Sequence, residues 1–229
     1  MMKYFTYKLD LMILNILACV IIVLLTIMTF MFTGNIDFII NINLFSFVFI
    51  FIWLILHEIL HGIGFMSLGK VKGKNIVFGS ELEKGIFYCM CKEKISKLNI
   101  LIALILPLLL IGIVPYVVGI CINNNLLILL GVFNISGSIG DLLMIIDIIL
   151  MPKDILYLDL DDTTSFTILS KGDLSKNKYF SIILSKHGKY NDSIKAKDYK
   201  KIKVSKGSKY FIVFFLILLI ISILDVLGA

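Results

Sequence analysis

The sequence predicts an all-α polytopic membrane protein of about five transmembrane helices, with a cytoplasmic β-hairpin and a small, basic, mostly β cytoplasmic segment. Three observations carry this reading. Of 229 residues, 59% are hydrophobic and only 17% are charged, against about 45–50% and about 25% in a soluble domain. Five stretches reach the roughly 20 apolar residues that a helix needs to cross a hydrocarbon core of about 30 Å. The 22 basic residues are all lysines, and they segregate along the chain. With 3 Pro, 16 Gly and 4 Cys, collagen-like, low-complexity and disulfide-rich classes are excluded.

The first span, residues 11–32, follows Lys3 and Lys8 and is too long for the apolar core of a signal peptide. A short lysine-free connection, 33–43, leads to the second span at 44–66. Residues 67–97 carry seven lysines and hold Asn75–Gly79, a polar turn and Gly85–Tyr88, which read as a hairpin at the membrane surface. The third span, 98–122, contains Pro107 and Pro115, expected to kink it and to open a path for water. Only residues 123–125 separate it from the fourth span, 126–150. Residues 151–209 carry thirteen lysines and short alternating runs at 165–169, 179–184 and 202–204. The fifth span, 210–227, is uniformly apolar.

Five spans put every lysine on one side, and the positive-inside rule makes that side cytoplasmic, with the N-terminus in and the C-terminus out. The net charge of +6 is therefore assigned to orientation and the lipid surface, not to nucleic acid. The organisation read from this is an N-terminal span and outer loop (1–43), a membrane-embedded core (44–160), a basic cytoplasmic segment (161–209) and an anchor span (210–229).

An ionisable side chain near the bilayer centre costs roughly 2.5–3.5 kcal/mol on insertion scales, so its presence points to function. Span two carries His57-Glu58-Ile59-Leu60-His61, and span four carries Asn134, Ser136, Ser138, Asp141 and Asp147. Chance predicts roughly 0.003 His-acid-x-x-His matches in a chain of this composition. Residues i and i+4 share a helix face, so His57 and His61 can offer two imidazoles to one Zn²⁺. Glu58 lies beside them as a general base.

A catalytic zinc site takes a third protein ligand. Asp141 lies about 22 Å along its span from the outer end, level with His57 at about 20 Å and His61 about 6 Å deeper. It also shares a face with Asn134 and Ser138 at i, i+4, i+7. Two rivals remain. Asp147 sits nearer the inner interface, placed to snorkel or to pair with lysine, and Glu81 follows His61 by 20 residues in a turn-like segment. Gly131, Gly137 and Gly140 let span four approach a neighbour closely. Cys89-x-Cys91 reads as incidental on a reducing face.

Leu56-His-Glu-Ile-Leu-His-Gly62, the Tyr88-Cys89-Met-Cys91-Lys-Glu loop, Pro107 and Asn134…Gly137-Ser-Ile-Gly-Asp141 together resemble the membrane-embedded zincin peptidases. That prokaryotic family is itself similar to the site-two proteases, and the resemblance spans roughly residues 45–160. It implies zinc held by His57, His61 and Asp141, Glu58 as base, Asn134 assisting at the scissile carbonyl, and an integral or membrane-anchored protein as substrate. The chain departs from the site-two pattern in having no Pro after Asn134 and Leu142 in place of Gly after the aspartate. Set against the protease are a non-proteolytic membrane protein that binds or transports a metal, and an inert membrane partner.

Overall fold

A computed structural model describes residues 3–8, 11–40, 43–81, 86–159, 165–172, 174 and 184–189. It is mostly helical, with two small antiparallel sheets. Strand β1 (Lys3–Lys8) leads into α1 (Leu11–Thr33), the short α2 (Asp37–Ile40) and α3 (Leu44–Ser67). A hairpin follows, β2 (Ile76–Glu81) and β3 (Ile86–Cys91), then β4 (Ile95–Ser96). The next helix runs as α4 (Lys97–Pro107), a widened turn at Leu108–Ile113, and α5 (Val114–Cys121). Helices α6 (Asn125–Gly137) and α7 (Ile139–Leu150) come next, then β5 (Leu156–Leu158), β6 (Ser165–Ser170) and β7 (Leu184–Lys189).

Three helices are long and apolar enough to cross a membrane: Leu11–Thr33, Phe45–Ser67 and Lys97–Cys121. A fourth span is reached if the pair α6 and α7, bent by 49° at Ser138, counts as one. The fourth span expected from hydropathy, 126–150, is thus divided into two helices that meet at a bend. The fifth stretch, 210–227, lies outside the described residues, as do the alternating run at 202–204 and most of that at 179–184.

Local chemistry sets the N-terminal ends of α3 and α6. The Asn43 carboxamide accepts Ser46 N–H at 2.9 Å to cap α3, and Asn124 accepts Leu127 N–H at 3.0 Å to cap α6. In α1 the hydroxyls of Thr26, Thr29 and Thr33 bond back to carbonyls four residues earlier, at 2.8, 2.8 and 2.9 Å. This satisfies them within the helix itself. Tyr116 of α5 fastens α1, donating to Leu25 O at 3.1 Å and lying 3.0 Å from Thr29 Oγ1. At the other end, Lys97 Nζ donates to Ile149 O (2.9 Å) and Met151 O (2.5 Å), closing the C-terminus of α7.

The larger sheet has the order β4-β5-β6-β1-β7. Its N-terminal strand was not expected: residues 1–10 read as a lead-in to the first span. Tyr4–Tyr7 fit a pleated ribbon, and β1 inserts between β6 and β7 with Phe5 opposite Ile168. The 165–169 run is β6, as expected. One core joins this sheet to the helices, through Phe5, Tyr157, Phe166 and Ile168 on the sheet side and Ile100 and Ile148 on the helix side. All the lysine-bearing segments that the structure describes therefore gather at the sheet end of the bundle.

Candidate metal centre

His57 and His61 lie one turn apart on α3, and their rings project to one side, edge to face with centroids 4.8 Å apart. Asp141 stands in the first turn of α7, just past the break at Ser138. That break aims its carboxylate at the histidines. His57 Nε2 to His61 Nε2 is 3.1 Å, His57 Nε2 to Asp141 Oδ2 is 3.1 Å, and His61 Nε2 to Asp141 Oδ2 is 3.4 Å. All three side chains are nearly buried.

Both histidine tautomers are set from behind. His57 Nδ1 lies 3.0 Å from Asn134 Oδ1, and His61 Nδ1 lies 2.9 Å from Ala103 O. Each partner is an acceptor, and Asn134 is oriented as one because its Nδ2 donates to Pro107 O at 3.1 Å. Each Nδ1 therefore carries the proton, which leaves both Nε2 lone pairs facing one another and the Asp141 oxygen. Three electron pairs converging at 3.1–3.4 Å repel unless a cation sits among them. The edge of a tetrahedron around zinc, with bonds of about 2.0–2.1 Å, is about 3.3–3.4 Å. The donor set fits zinc in type, number and spacing.

The acceptors trace to sequence features whose role was missed. Proline has no N–H, so Pro107 leaves the carbonyl of Ala103, four residues back, without its helical donor. His61 takes that carbonyl. Pro115 frees Ile111 O in the same way, and Trp53 of α3 donates its indole N–H there at 2.7 Å. The two prolines, expected to kink the third span, flank a widened turn in which Val114 N–H reaches back five residues to Leu109 O. Gly64 makes the contact possible: a Cβ there would lie 2.8 Å from Ala103 Cα. Gly112 likewise admits the Asn134 amide, which a Cβ would meet at 3.0 Å.

The centre opens onto a cavity of about 370 Å³ bounded by α1, α3, β3, the α6–α7 break and the larger sheet. Glu58 lines it, with the Cys89 backbone N–H directed toward its carboxylate. Gly131 packs tightly on Tyr116, whereas Gly137 has open space before it and faces the cavity with Gly140.

Asp159 was not singled out in the sequence. Its Oδ2 accepts Cys91 N–H at 2.8 Å, its Oδ1 accepts the Tyr157 hydroxyl at 2.6 Å, and its own N–H donates to Cys91 O at 3.0 Å. It pins the hairpin to the sheet, and burial holds its carboxyl up at about 6. Burial also pushes the Cys91 thiol up to about 12 and the Cys89 thiol higher still, so neither is a thiolate.

The rivals of Asp141 stand apart. Glu81 ends a strand, β2, and Asp147 is buried on α7 with Oδ2 unpartnered among the described residues. The metal-capable group found among the described residues is His57, His61 and Asp141.

Residues 49–156 match the family model described as "Putative zincin peptidase". The zincin-peptidase resemblance read from the sequence is thereby shown, over nearly the interval expected. The matched span holds His57, Glu58, His61, Asn134 and Asp141. No curated protein and no solved structure matches the chain.

Proposed function

We propose that this chain, with a zincin peptidase core at residues 49–156, is a membrane-embedded zinc metalloprotease that hydrolyses peptide bonds of membrane or membrane-proximal proteins near the cytoplasmic side. The observation that carries this is the convergence of His57 Nε2, His61 Nε2 and Asp141 Oδ2, with Glu58 on the same cavity wall. Zinc, when bound, supplies a Lewis acid that makes water nucleophilic near neutral pH and polarises a carbonyl. His57, His61 and Asp141 hold it. Glu58 takes a proton from the attacking water at a carboxylate oxygen and passes it to the departing amine. Asn134 orients His57 from the cavity wall, and only the second hydrogen on its Nδ2 is left for the scissile carbonyl.

The hairpin supplies a way to hold a substrate extended. Cys91 directs both main-chain groups away from β2, to Asp159, and Cys89 directs its N–H to Glu58. Strand parity aims the Phe87 main chain the same way. A substrate segment can pair with the groups left on that edge, Cys89 O and the Phe87 main chain, beside the metal centre. Proline substitutions along both strands should abolish cleavage, and unimpaired cleavage would remove the hairpin from this role.

The reading is tested by purifying wild type and Glu58→Gln in detergent, measuring zinc, and comparing the two expression strains for membrane proteins that accumulate uncut. The expected result is equal zinc, with substrate accumulating in the variant strain alone. Equal zinc and identical membrane proteins would favour a metal-binding or transport protein.

A further inference from the structure

The inward face of α1 changes character halfway along. In its outer half, Ile22, Leu25 and Thr29 pack against α5 and α6, with Tyr116 bonded to Thr29 and Leu25. In its inner half the same face continues as Leu11, Leu14, Asn15 and Ala18, at i, i+3, i+4 and i+7, and lines the cavity of the metal centre. Met12, Ile16, Val20 and Val23 cover the opposite, exposed side. Helix α1 packs on α6, α5 and α7 rather than on α3, so a slot separates Asn15 from the metal-bearing helix and the hairpin.

Asn15 is out of place in this setting. The other polar side chains of α1, Thr26, Thr29 and Thr33, are all bonded within the protein. The Asn15 carboxamide has no hydrogen-bond partner among the described residues, and the residue lines the cavity of the metal centre. The residue is exposed rather than buried, so its amide is open to a ligand entering the cavity. It offers one acceptor and two donor hydrogens, the complement of a peptide unit's N–H and C=O.

We propose that Asn15 is a substrate-binding residue whose carboxamide pairs with the main chain of a peptide held in the slot. The peptide then has the β3 edge on one side and Asn15 on the other, with the metal centre between them. This rests on the peptidase reading above and adds the residue on the wall opposite the hairpin. It reads backbone, not side chains, and so favours extended over helical substrate.

The test uses the full-length, zinc-loaded protein in detergent and two probes, acetohydroxamate and a leucine-containing peptidyl hydroxamate, which share the metal-binding group and differ in main chain. Asn15→Leu should weaken the peptidyl probe about tenfold, the worth of one or two hydrogen bonds. Its zinc content and its affinity for acetohydroxamate should match wild type. Asn15→Gln, which keeps the amide, should stay within about threefold of wild type. Undiminished peptidyl binding by Asn15→Leu overturns the inference and leaves the peptidase reading standing. So does an equal loss for both probes, which marks a structural role. If wild type binds the peptidyl probe no more tightly than acetohydroxamate, there is no peptide cleft, and the peptidase reading falls together with this one.

Discussion

Replacing Pro107 by alanine should make the helix better and the metal site worse. The carbonyl of Ala103 accepts His61 Nδ1–H at 2.9 Å because residue 107 has no N–H to offer it. Alanine restores that donor, and the two then compete for one oxygen. Losing the partner behind a metal-binding histidine typically costs 10–100-fold in metal affinity. A carbonyl has two lone pairs and the competition is partial, so a loss of about tenfold in zinc affinity is expected, or about 1.4 kcal/mol. Helix propensity runs the other way, favouring alanine by up to about 3 kcal/mol. The metal-free variant should thus melt at or above the wild-type temperature while binding zinc more weakly. The assay is a chelator-competition zinc titration alongside thermal melts of the metal-free proteins. Pro115→Ala serves as control, since the carbonyl it frees holds Trp53 and not a metal ligand. Unchanged zinc affinity in Pro107→Ala, or an equal loss in Pro115→Ala, would refute the reasoning.

Asn134→Leu removes the acceptor behind His57 and the donor to Pro107 O; zinc affinity should fall about 10–100-fold in the same titration, and undiminished affinity would count against this role. Gly64→Val forces a Cβ to 2.8 Å from Ala103 Cα, so α3 and α4 must separate. A destabilisation of about 1–3 kcal/mol is expected in denaturation, with weakened zinc binding because His61 loses Ala103 O. Asp159 predicts a pH dependence. Its carboxyl is held at about 6 in the folded chain against 3.8 ordinarily, so the folded state binds the proton more tightly. That contribution to stability is full below pH 3.8 and is lost as pH rises through about 6. Wild type should therefore gain on Asp159→Asn, on the order of 2–3 kcal/mol, as melts are taken from pH 7 down toward pH 3.5. A gap that stays constant with pH would exclude the assignment.

How legible these features are in the sequence depends on how local they are. The spans at 11–32, 44–66 and 98–122 follow from hydropathy alone, because lipid demands continuous apolar helix. The His57–His61 pairing follows from helical period, and the 76–91 hairpin from its run of β-formers around a polar turn. Strand β1 is different: its partners are about 160 and 180 residues away, and six residues of β-prone sequence beside a long apolar run read as a lead-in. The break at Ser138 has a local signal in Ser136-Gly137-Ser138, but small residues also serve close packing, and hydropathy does not separate the two. Asp159 sits in a strand-like stretch where nothing in the sequence shows that Cys91 and Tyr157 will meet it. The proline effect was readable in principle. Counting four residues back from Pro107 and Pro115 gives Ala103 and Ile111, the two carbonyls that α3 uses.

The identity of the metal shell bears most directly on the account. Zinc K-edge X-ray absorption on the purified, zinc-loaded protein should show one zinc per chain, with nitrogen and oxygen donors at about 2.0–2.1 Å, imidazole scattering from two histidines, and no sulfur. His61→Ala should lose most of that zinc. A sulfur shell at about 2.3 Å, which would implicate Cys89 or Cys91, or a zinc content indifferent to His61, would contradict it.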